Sequence, residues 1–138
     1  MINLVLIGLC ALIMVQSSPK SLDDLKWKNR VVLYFPQKDL DWQNPNDSLL
    51  LELEERKIIY FVIMDSVESN SDIVFSADYI SKLSSRYKMG AKSPSWVLIG
   101  LDGGAKLRKE EVINWSYIFK TVDAMPMRQS EIRKTKSF

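Results

Sequence analysis

The sequence predicts one α/β domain, a four-stranded mixed sheet with helices on both faces in the order βαβαββα. Three observations carry this. Residues 30–35 and 58–64 are continuous β-branched and aromatic runs that leave no alternate position for water, so both read as buried strands. The charged segment between them has helix length, and strand–helix–strand requires a parallel pair joined by a right-handed crossover. After a third apolar run, Asp102-Gly103-Gly104 marks a tight hairpin, because the turn needs positive φ.

Taken in order, residues 18–29 are polar and charged, with Trp27 the largest apolar group, and predict an arm or short helix packed on the domain. The first strand ends at Pro36, which cannot donate to a ladder. Residues 37–47 are rich in Asp, Asn and Pro and read as a loop. Asp47 or Ser48 caps a helix over residues 49–57, with Glu52 and Arg56 spaced as an i,i+4 pair. Residues 65–74 follow the second strand as a polar loop. Ser76 caps a helix reaching Tyr87, with Tyr79, Ile80, Leu83 and Tyr87 on one face and Gly90 as the stop. Pro94 precedes the third strand, residues 96–100, and Lys106-Leu107-Arg108 is a short antiparallel fourth. Asn114 caps the last helix, whose apolar face is Trp115, Ile118, Phe119, Val122 and Met125, and Pro126 ends it. Residues 127–138 read as a solvated basic tail, with Arg128, Arg133, Lys134 and Lys136 against Glu131.

Composition excludes several chemistries. The 138 residues contain no histidine, which removes Ser-His-Asp and Cys-His catalysis and histidine-based zinc sites. A net charge of +2 is too small to point to nucleic acid. The one cysteine, Cys10, lies within an apolar run from Leu4 to Val15. That run is shorter than the roughly 20 residues a membrane span needs and fits the core of a signal peptide. Gln16-Ser17-Ser18-Pro19 follows, with Val15 and Ser17 at the −3 and −1 positions of a cleavage site. The expected organisation is a signal peptide at 1–17, an arm at 18–29, the domain at 30–126 and the basic tail at 127–138. The expected location is secreted or periplasmic, with no stable membrane span after cleavage. An uncleaved anchor and a lipidated Cys10 are the alternative readings of the leader.

The order of elements resembles the thioredoxin core. Pro94-Ser95-Trp96-Val97-Leu98-Ile99 with Asp102-Gly103-Gly104 is similar to the proline, strand and glycine turn of that fold. The resemblance implies a cis Ser93–Pro94 bond facing the active-site end. A closer resemblance lies in Leu98-Ile99-Gly100-Leu101-Asp102-Gly103-Gly104-Ala105-Lys106-Leu107-Arg108 and in Asp123-Ala124-Met125-Pro126-Met127-Arg128-Gln129-Ser130-Glu131. Together these segments resemble the signature of the domain of unknown function 4174 family. That family is the bacterial branch of a thioredoxin-like group also found in animal extracellular-matrix proteins. Leu101 stands where the family pattern has lysine.

In a thioredoxin enzyme the reactive thiolate follows the first strand, at a helix N-terminus that lowers its pKa. Residues 36–48 hold no cysteine, and Ser48 there lacks a histidine base. Asp39, Asp41, Asn44, Asn46 and Asp47 match no EF-hand spacing and read as turn formers. No cofactor, metal or catalytic residue is assigned. The leading expectation is an exported, non-catalytic thioredoxin-like module that binds an unknown protein or small ligand. Its expected interaction surface is Asp102, Gly103, Gly104, Lys106, Arg108, Arg128 and Glu131, with Arg128 approaching Asp102 or the backbone carbonyls of the turn. The alternative is a thiol-independent enzyme using carboxylates or lysines in the cleft near Pro94, with Asp39 and Trp42 as cleft candidates.

Overall fold

A computed structural model describes residues 18–136. The leader, Cys10 and the last two residues lie outside them. The apolar run Arg30–Phe35 forms β1, buried along its whole length. Helix α1, Asp47–Glu55, is capped by Asn46, whose Oδ1 accepts the Leu49 N–H at 2.8 Å. The cap is thus one residue earlier than Asp47. Strand β2, Ile58–Ile63, pairs parallel with β1 in the register Arg30↔Ile58 to Tyr34↔Val62.

The expected polar loop after β2 contains a further strand, β3, Val67–Ser69, antiparallel to β2. The sheet therefore has five strands, not four. Three residues are too few for a period to show, and a side chain continues the pairing. Asn70 accepts the Tyr60 N–H and donates to the Ile58 carbonyl, both at 2.9 Å, so its amide extends the ladder past the strand end.

Helix α2, Ala77–Leu83, is capped by Ser76 and continues as a π turn over Ser84–Lys88, which Met89 ends in the left-handed region at φ 50°. Strand β4, Ser95–Ile99, lies antiparallel to β1, and β5, Ala105–Lys109, antiparallel to β4. Helix α3, Trp115–Asp123, is capped by Asn114. Pro126 does not finish the fold. It opens α4, Pro126–Lys136, taking the first helical position, where a missing N–H costs nothing. The expected solvated tail is a docked helix, because Arg128 is buried beneath it.

The strand order β3-β2-β1-β4-β5 places the parallel pair beside the antiparallel hairpin, with helices on both faces. This is the thioredoxin-like arrangement with an extra edge strand. One face packs Val31, Leu33, Phe35 and Phe61 against Leu83 and Tyr87. The other packs Val32, Tyr34, Tyr60 and Trp96 against Leu53, Ile118 and Val122. The expected cis bond is absent: every peptide bond among the described residues is trans, including Ser93–Pro94. Trans is the intrinsically favoured isomer at proline, and the chain reaches β4 through a turn closed by Ala91 N–H on the Lys88 carbonyl.

Candidate functional site

The sheet has two poles. At one, β1 ends at Phe35 opposite Ser95, so the 36–48 loop and Pro94 lie together. At the other, β1 begins at Arg30, α1 ends, and β4 passes through the glycine turn into β5.

The first pole is where a thioredoxin enzyme keeps its thiol. A depression of about 350 Å³ lies there, lined by Phe35, Pro36, Lys38, Met64, Asp65 and Lys88 among others; Pro94 does not line it. Asp39 belongs to a 3-10 turn, Asp39–Asp41. Trp42 lines a neighbouring depression. It folds back onto the core, its ring 5.1 Å from Tyr60 and 6.1 Å from Tyr34, and its Nε1 donates to Glu68 Oε2 at 2.6 Å. Asp41 and Asn46 are occupied as turn and cap acceptors of the Lys38 and Leu49 N–H groups. Among the described residues no three carboxylates gather to hold a metal ion.

The second pole is built from charge. Helix α1 ends there with carbonyls that lack helical partners, at the negative end of its dipole. Arginines from two other elements supply the donors. Arg30 Nη1 donates to the Arg56 carbonyl at 2.9 Å and Arg128 Nη1 to the Glu55 carbonyl at 3.2 Å. Arg128 also reaches Glu55 Oε1 and Asp123 Oδ1, both at 3.1 Å. Arg56 forks onto Asp123 with two bonds of 2.9 Å and lies over the Phe119 ring at 4.5 Å. The i,i+4 pair of Arg56 with Glu52 forms as expected. Burial alone would raise the Asp123 carboxyl; the hydrogen bonds from Arg56 and Arg128 outweigh it and hold Asp123 below its ordinary value.

Beside this network the two signature segments meet. A recess of about 310 Å³ is lined by Arg30, by Gly100, Leu101, Asp102 and Lys106 of the turn, and by Met125, Pro126 and Met127. The segments share a pole, but Arg128 does not pair with Asp102. Arg128 points inward to α1 and α3 because the α1 carbonyls and Asp123 are nearer acceptors. Asp102 is taken locally: Lys106 Nζ lies 2.7 Å from it and the Gly104 N–H 3.0 Å, and both depress its pKa. Gly103, at φ 81°, has the left-handed backbone the turn requires. Arg108 lies away from the pole, bracing β5 to the π turn through the Tyr87 and Lys88 carbonyls. Glu131 faces the pole interior, 3.4 Å from Arg30 Nη1.

Arg30, Arg56, Glu55 and Asp123 complete the site; the sequence pairs Arg56 with Glu52 alone and places Asp123 in a signature segment, and it singles out neither Arg30 nor Glu55. Arg30 carried a signal: a charged residue opening a wholly apolar strand needs a partner when it is buried.

A family model described as a domain of unknown function, DUF4174, matches residues 21–131. No curated protein matches the chain. Among solved structures, the exposed lipoprotein thioredoxin of Streptococcus pneumoniae is similar at 15% identity. The match covers 75% of this chain and 90% of that one, with a TM-score of 0.39.

Proposed function

The chain belongs to the domain of unknown function 4174 family, and from that premise we propose an exported, non-catalytic thioredoxin-like module that binds a protein or small ligand through the arginine pole. The observation that carries this reading is convergence. Two signature segments distant in sequence, around Asp102 and around Met127, line one recess beside three buried arginines. Neither signature segment lines the depression at the first pole. The chain has a single cysteine, Cys10, so it holds no redox pair, and it has no histidine base. Among the described residues, Asp102 and Asp123 are carboxyls held below their ordinary pKa by cationic neighbours, which suits salt-bridge partners rather than a general acid. Export rests on the apolar segment before residue 18. Among the described residues no helix is long and apolar enough to cross a membrane.

A second reading has its own observation: Lys38, Asp65 and Lys88 line the depression at the first pole, where a thiol-independent enzyme would place its acid and base. One comparison separates the two. Capture of partners from the protein's own extracellular or periplasmic extract is compared for wild type, the pole variant Met127→Asp and the cleft variant Lys38→Ala/Lys88→Ala. The binding reading expects capture to be lost in the first variant and kept in the second. The opposite pattern moves the site to the cleft.

A further inference from the structure

Building on the binding role above, we infer that the recess at the arginine pole is a site for a small apolar carboxylate, a short acyl chain or aryl group ended by one carboxylate. Its volume of about 310 Å³ is at the small end for ligand pockets, which run from roughly 300 to 1,000 Å³. The apolar body is set by the walls, which include Leu101, Met125, Met127 and the alkyl stem of Lys106.

The carboxylate is set by Arg30. Its side chain is 1% exposed, it lines the recess, and its Nε is buried with no hydrogen-bond partner among the described residues. Its ion pair with Glu131 is long, 3.4 Å, where charge-assisted bonds of this kind measure about 2.7–2.9 Å. Glu131 is also shared, with Arg128 at 3.5 Å and Lys57 at 3.8 Å. One carboxylate thus faces three cations and satisfies none at short range. A guanidinium presents Nε and a terminal nitrogen as a fork that fits a second carboxylate. Asp102 at the rim does not oppose this, since Lys106 and the Gly104 N–H already meet its charge.

The probe is octanoate, with octanol as the same chain lacking the carboxylate. The readout is the carbon-13 methyl spectrum of the methionines. Met125 and Met127 line the recess, while Met64 and Met89 lie toward the other pole and report non-specific effects. Octanoate is expected to shift Met125 and Met127 saturably and to leave Met64 and Met89 in place. Octanol is expected to bind at least about tenfold more weakly, as a site built around a hydrogen-bonding group rejects a ligand lacking it. Met127→Asp, at a half-exposed rim position, is expected to weaken octanoate by a similar factor. Arg30→Lys is expected to do the same; if that variant loses methyl dispersion and so is unfolded, octanol and Met127→Asp decide alone. Equal binding of octanol and octanoate, saturation at Met64 or Met89, or no saturable shift at Met125 and Met127 overturns the inference. Pole-dependent capture of a protein without any octanoate response leaves the binding role standing and removes only the carboxylate site.

Discussion

Arg128 Nε donates to Asp123 Oδ1 at 3.1 Å, and this bond ties α4 to the end of α3 across the break at Pro126. The same guanidinium caps α1, so one side chain joins three helices. Arg128→Ala should therefore lower stability whatever else it does. Deleting one partner of a buried ion pair costs about 3–5 kcal/mol. The exposure of the carboxylates, 63% for Glu55 and 35% for Asp123, reduces this to roughly 1–3 kcal/mol. A denaturant midpoint within error of wild type is the result that contradicts it.

The same pair sets an acid limit. The folded-state pKa of Asp123 is below its ordinary value of 3.8, so its contribution is fully present above that value. It is lost as pH falls through the lower, folded-state value. Melting temperature measured from pH 6 downward should fall below about pH 4, and Asp123→Asn should remove part of that fall while lowering the plateau. A variant whose acid profile runs parallel to wild type would assign the limit to other carboxylates.

Thiol chemistry should be absent. Cys10 is the chain's one cysteine, and disulfide exchange by a thioredoxin-type site requires a pair. Peroxide consumption and insulin disulfide reduction are expected at the level of a heat-killed control, and Cys10→Ser should leave both there. Turnover above that control counts against a non-redox module.

The edge hairpin should depend on one amide. Asn70→Ala deletes two side-chain bonds to the backbone of β2 and leaves the Tyr60 N–H and Ile58 carbonyl without them. The expected loss is about 1–3 kcal/mol, with faster hydrogen exchange at Tyr60 and at β3. Unchanged exchange at Tyr60 would show that β3 holds without Asn70.

By itself the sequence determined four of the five strands and the apolar faces of α2 and α3. Arg30–Phe35 and Ile58–Ile63 admit no exposed face, and Ile118 and Val122 recur at helical spacing, so burial alone dictated their places. Asp102-Gly103-Gly104 announced its turn because only glycine takes that backbone without strain. It also determined the absence of a redox pair. Tertiary structure decided everything that depends on partners distant in the chain. Short β3 became a strand only by pairing with β2, with Asn70 bonding the β2 backbone beyond the strand end. The arginine pole needed α1, α3 and α4 to converge before Arg30, Arg56 and Arg128 had acceptors. A charge in a sequence reads as solvated until the fold withdraws its water, and the nearest acceptor in space then decides where it points: Arg128 took Asp123 and left Asp102 to Lys106.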